Sequence, residues 1–373
     1  MLSRVNNIRK KLRLPAIILT ALSAAIISFG CGETPAPSEA TPETTSPPAE
    51  GFSYTETKIP LSTFEKNEYI GGILLNELEQ PTMYTFQKKE EDSVKATYYV
   101  NVLQEDGTWK KEKTEWNDNL RRMASKVGST IFDIKMGSDG TTYLWLSKRE
   151  PVKEDDEEIN LSYHLIAVSP NGHVEELKNE GLGKDMESCM INRLNGFHII
   201  NNKSGIFAEE NWSLYDLETG KKKLMYDGIR IMKDDVGELV YARSFVMGDS
   251  FYAIADDNCD KLNVFDITSG TLKDTISCDS ITPNSETFFI PDEEENAFYT
   301  VNKRGIHRID IKTGSDELVI SNNNELVNED YKVEGAFVTT GEEQQQFYIW
   351  YSNINRESDD YGEQYLYQYT LNG

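Results

Sequence analysis

The sequence predicts an all-β chain, a β-propeller of six blades, or of seven if residues 108–128 hide a further strand set. Three observations lead there. From Gly51 onward, short alternating runs rich in Tyr, Phe, Val, Ile and Thr are separated by Gly, Asn, Asp and Ser turns, with no sustained helical periodicity. WSLYDLETG (212–220), LNVFDITSG (262–270) and IHRIDIKTG (306–314) repeat one pattern: an alternating strand, an Asp, three residues, then Gly. With weaker copies ending at Gly107, Gly172 and Gly373, the six glycines lie 65, 48, 50, 44 and 59 residues apart. That spacing suits a four-stranded blade with its loops.

The elements follow in chain order. Residues 1–30 read as an export signal, in which Arg4, Arg9, Lys10, Lys11 and Arg13 precede an apolar run from Leu14 to Phe29. The run is shorter than the roughly 20 residues of a spanning helix. A plain secretory signal or an N-terminal anchor would read the same way up to this point. Ser28-Phe29-Gly30-Cys31 resembles the lipobox of bacterial lipoproteins. The resemblance implies a lipid on Cys31, an extracytoplasmic protein, and a membrane attachment made by the acyl chains alone. Residues 31–50 hold Pro, Thr, Ser and Glu and no aliphatic side chain larger than Ala. Such a segment buries too little apolar surface to order itself and serves as a spacer.

Residues 51–373 form the propeller. FSYTETKI (52–59) is an orphan strand before the first full unit, and the sixth unit offers only VEGAFVT (333–339), QFYIWY (346–351) and YLYQYT (365–370). Pairing the orphan as the outer edge of the last blade closes the ring, and Pro60 is tolerable on an edge. The second unit runs 129–136, 141–147, 161–168 and 173–177; the fourth runs 241–247, 251–256, 261–267 and 271–278; the fifth runs 286–290, 297–301, 305–311 and 316–321. The inner strands of the first and third units stay unassigned. Asp216, Asp266 and Asp310 each stand four residues before Gly220, Gly270 and Gly314. They read as turn residues, the carboxylate accepting backbone N–H groups and the glycine taking positive φ, and not as a carboxylate cluster.

YDLETGK (215–221) and NVFDITSGTLKDTI (263–276) resemble the repeats of bacterial WD40-like, YVTN and PQQ-type propeller families. The resemblance implies the propeller architecture. The Trp that follows the turn in PQQ-type repeats is absent, with Leu224 or Met225 near its place, so no quinone and no other cofactor is expected.

Charge and composition narrow the function. There are 38 Lys and Arg against 63 Asp and Glu, a net charge of −25, and the signal carries five positive residues and no acid, so its removal leaves −30. Nucleic acid is excluded as a partner, since polyanions are held by Lys and Arg. His164, His173, His198 and His307 lack any metal-ligand spacing, and no metal site is expected. Nucleophile elbows, phosphate loops and H-E-x-x-H are absent, and no catalytic residue stands out. Cys259 and Cys278 fall in one blade and could pair, leaving Cys189 free. The acidic runs 154–158, 256–260, 292–295 and 358–363 lack the alternating ligands of a calcium loop and read as solvated loop charge. Trp145 and Trp350 occupy equivalent places on the second strands of two units. Exposed, they could stack on sugar rings; buried, they pack blade on blade. The expected function is a surface-tethered binding or scaffold module for a protein, peptide or glycan ligand. The alternative is an extracytoplasmic carbohydrate-active hydrolase or lyase with its acid and base drawn from different blades.

Overall fold

The computed structural model describes residues 52–61, 65–90, 95–151, 159–177, 197–201, 203–208, 212–226, 232–233, 239–240, 244–254, 260–278, 280–281, 287–302, 305–321, 330–339 and 345–371. Residues 1–51, which hold the signal, Cys31 and the spacer, lie outside them, as do Cys189, Cys259 and Gly373.

β1 (Tyr54–Pro60) opens the domain. β2 (Glu68–Leu75), β3 (Pro81–Lys88), β4 (Ala96–Leu103) and β5 (Trp109–Lys113) form the first blade. A helix, α1 (Asn117–Val127), leads to the second blade, β6 (Thr130–Met136), β7 (Thr142–Pro151), β8 (Ile159–Val168) and β9 (Val174–Glu176). The third blade is β10 (Phe197–Ile199), β11 (Ser204–Ala208), β12 (Trp212–Asp216) and β13 (Lys222–Tyr226). A two-stranded ribbon, β14 (Met232–Lys233) and β15 (Leu239–Val240), precedes the fourth blade, β16 (Ser244–Met247), β17 (Ser250–Ile254), β18 (Lys261–Asp266) and β19 (Leu272–Ser277). The fifth is β20 (Phe288–Asp292), β21 (Ala297–Asn302), β22 (Gly305–Asp310) and β23 (Asp316–Ser321). β24 (Tyr331–Thr339), β25 (Gln346–Asn353) and β26 (Gln364–Leu371) form the sixth, and β1 is its fourth strand, with Tyr54 opposite Leu371 and Pro60 opposite Tyr365.

The chain is therefore an all-β six-bladed propeller, six antiparallel four-stranded sheets in a ring. Burial within a blade follows from this layout. Second strands such as β17 and β21 are buried along their whole length, because neighbouring blades cover both faces, whereas the fourth strands β1, β5 and β19 are mostly exposed. First strands touch their counterparts in adjacent blades: β2 meets β6 and β24, β6 meets β10, and β20 meets β16 and β24. His198 Nε2 and Ser244 Oγ, 2.8 Å apart, join β10 to β16 and complete the circle. Between the last and first blades, Ile59, Leu61, Ile73, Met83, Leu103, Tyr348 and Leu366 make one buried cluster, and Trp109 Nε1 donates to Pro60 O at 3.0 Å.

Residues 108–128 correct two expectations. They hold one strand, β5, and then α1, so the seven-blade alternative fails and the chain does contain a helix. The physical reason is visible in the helix itself. Asn117, Leu120, Ala124 and Val127 recur at helical spacing and are buried, against a cluster that includes Tyr98, Leu144 and Val168. The Asn117 side chain accepts from Tyr98 N at 2.7 Å and donates to Tyr98 O at 2.9 Å, docking the helix on β4. Gly128, at φ +79°, ends it where a Cβ would stand 2.2 Å from Ser147 O. The ribbon β14–β15 is likewise absent from the sequence reading.

Candidate functional site

Four of the six first strands line a cavity of about 320 Å³, near the lower end of the roughly 300–1,000 Å³ typical of small-molecule sites. Its wall is built by β2, β6, β20 and β24 together with Trp145 of β7 and Trp350 of β25. Three of these first strands carry a β-bulge at the cavity. The register shifts between Ile70 and Gly72 in β2, between Ile131 and Asp133 in β6, and between Val333 and Gly335 in β24. The extra residues, Gly71, Phe132 and Glu334, all line the cavity. Bulges re-aim side chains and are over-represented beside binding sites.

Glycine lets the first two blades approach. A Cβ on Gly72 would lie 2.4 Å from Ile134 Cγ2, so only glycine admits β6 at this distance. The polar groups of the wall come from two blades. Asp133 Oδ1 accepts from Ile134 N at 2.7 Å, and its Oδ2 stands 3.6 Å from Lys135 Nζ. Glu334 Oε1 accepts from Ser352 Oγ at 2.7 Å, and its Oε2 stands 3.7 Å from Lys332 Nζ. Both ion pairs are longer than a hydrogen bond. Phe132, Asp133, Lys135, Glu334, Phe337 and Trp350 are half-buried.

The two tryptophans have different surroundings. Trp145 is 1% exposed and packs edge-on to Phe197 at 4.1 Å between centroids, within the core between the second and third blades. Its indole N–H has no partner among the described residues. Trp350 is half-buried, and its Nε1 donates to Gln364 Oε1 at 2.9 Å, which fixes the ring against the cavity.

The aspartates of the repeats lie far apart in the chain, each in the turn between the third and fourth strands of its own blade. Asp216 Oδ1 accepts from the backbone N–H of Thr219 at 2.9 Å, Asp266 from Ser269 at 2.7 Å and Asp310 from Thr313 at 2.7 Å. Gly220, Gly270 and Gly314 take φ of +71°, +70° and +69°. Backbone donation from Thr219 and Ser269, with Lys223 and Lys273 adding to it, holds the carboxyls of Asp216 and Asp266 down at about 2.

The histidines are dispersed. His164 Nδ1 pairs with Glu176 at 2.9 Å and His307 Nδ1 with Asp316 at 2.8 Å. Burial, with Lys135 nearby, pushes His198 down to about 3, so its ring is neutral at physiological pH. Cys278 is a free buried thiol, and burial pushes it up to about 11, while Cys259, its expected partner, lies outside the described residues. At that value it is no nucleophile. Among the described residues no group of three metal-ligating side chains comes together, and no helix is long and apolar enough to cross a membrane. Phe132, Asp133, Lys135 and Glu334 escape the sequence reading because nothing local marks them.

No protein-family model matches the chain, and no curated protein matches it in sequence. Among solved structures, the crystal structure of the WD40 β-propeller domain of Doa1 is similar, with a TM-score of 0.43 and 9% identity over 86% of this chain and 98% of that one. A likeness at that level carries no argument about function, and the propeller stands on its own sheet order and inter-blade contacts.

Proposed function

We propose that this chain is an extracytoplasmic lipoprotein, anchored by a lipid on Cys31, whose propeller is a binding module for a protein, peptide or glycan ligand. The observation that carries the binding role is the axial cavity, where half-buried aromatic rings stand beside charged groups held in loose pairs. What supports the tether is the order of basic stretch, apolar run, Gly30-Cys31 and Pro/Thr/Glu-rich spacer. In the intact chain, Cys31→Ser is expected to abolish incorporation of a labelled fatty acid and to release the protein from the membrane fraction. Surface cross-linking on whole cells is expected to capture a ligand with the wild-type chain. Retained label in the variant, or a protease-protected cytosolic location, would refute the tether; a surface protein that captures nothing would refute the binding role.

A second reading, a carbohydrate-active hydrolase or lyase, draws on one observation: Asp133 and Glu334, carboxylates from different blades, line the same cavity. Release of reducing ends from a glycan, lost in both Asp133→Asn and Glu334→Gln, would favour it.

A further inference from the structure

Resting on the binding reading above, we propose that the axial cavity holds a neutral mono- or disaccharide, stacked on Trp350 and Phe132 and hydrogen-bonded by Asp133, Lys135 and Glu334. Four features of the wall point to a polyhydroxylated ring. First, donors and acceptors are mixed: Asp133 and Glu334 accept, and Lys135 donates. A hydroxyl does both, so vicinal hydroxyls can satisfy the whole set. A cationic ligand would meet Lys135, and an anionic one would meet two carboxylates within a chain of net charge −25.

Second, the charged pair on the wall is loose. The Lys135–Asp133 separation of 3.6 Å leaves room for hydroxyl groups to bond to each partner directly. Third, the rings are held in place before any ligand arrives. Trp350 is pinned by Gln364, and Phe132 stands edge-on to Tyr163 at 5.6 Å, so little ordering remains to be done on binding. Fourth, three separate blades place a β-bulge on this wall, and two of the extra residues, Phe132 and Glu334, are proposed contacts.

The test is saturation-transfer NMR and tryptophan fluorescence on the full chain. The probes are glucose, N-acetylglucosamine, cellobiose and chitobiose, with N-acetyl-arginine amide as a cationic peptide probe. At least one sugar is expected to bind saturably. Its affinity should fall about tenfold in the near-isosteric Glu334→Gln, the scale of one hydrogen bond to a charged group, and similarly in Phe132→Ala. Tyr361→Ala, at an exposed loop position, should leave it unchanged. The thermal midpoint of each variant is measured alongside, and Asp133→Asn replaces Phe132→Ala if the latter does not fold. No saturable sugar, sugar binding indifferent to the wall variants, or preference for the arginine amide would overturn the proposal. If the sugars fail while surface cross-linking still captures a ligand, the saccharide falls and the binding module stands; if both fail, both fall.

Discussion

Gly314 and Gly72 show two different reasons for glycine in one propeller. Gly314 sits at φ +69° with nothing within 4 Å of an added Cβ, so its only constraint is the left-handed backbone. Gly314→Ala should cost about 1–2 kcal/mol and leave the tryptophan emission unchanged. Gly72 has no such backbone demand, but its Cβ would collide with Ile134 at 2.4 Å. Gly72→Ala should cost about 1–3 kcal/mol through displacement of β6, and it should also shift the emission of Trp145 and Trp350 beside the cavity. Urea unfolding followed by fluorescence reads both. Equal spectra in the two variants would contradict this account of Gly72. The difference marks what a sequence can disclose. Gly314 belongs to a repeated Asp-x-x-x-Gly turn and is readable from local chemistry, whereas Gly72 answers to a strand about sixty residues away.

At the scale of elements, α1 is the part the sequence concealed, because its buried face is only four residues wide and lies among strands. Its last turn is fastened by Glu176 of β9, which accepts from Lys126 and from His164 Nδ1. Burial alone would raise the Glu176 carboxyl, but the bonds from Lys126 and His164 outweigh it and hold it below the ordinary carboxylate range. A carboxyl lowered on folding contributes stability that is present above its unfolded pKa, about 4.3, and is lost as pH falls through the folded value. Amide exchange in α1 should therefore speed up as pH falls below about 4, beyond the intrinsic pH dependence of exchange, and Glu176→Gln should show that faster exchange already at neutral pH. Unaltered α1 protection in Glu176→Gln would show that the fastening does not matter. The strands of the second, fourth and fifth blades were legible, since their middle strands alternate and end in marked turns. Those of the first and third were not, because Gly71 and Gly72 interrupt the pattern of β2 and because β10 is only three residues long. Phe132, Asp133, Lys135 and Glu334 were invisible for another reason. They belong to the bulged first strands β6 and β24, where one extra residue changes which side chains face the cavity without leaving a local mark.

At the scale of the molecule, the ring holds because the first strand of the domain is the last strand of the final blade. β1 contributes seven paired residues to β26, buries Ile59 to 3% exposure and offers Pro60 O to Trp109 of the first blade. It thereby covers an edge and bridges the closure at once. The direct measurement is equilibrium unfolding of a chain lacking residues 52–60 against the same chain with them. Closure by β1 predicts a loss of at least about 3 kcal/mol, from uncovered apolar surface and broken ladder bonds, with a clearly lower thermal midpoint. An unchanged midpoint and unchanged unfolding free energy would contradict it.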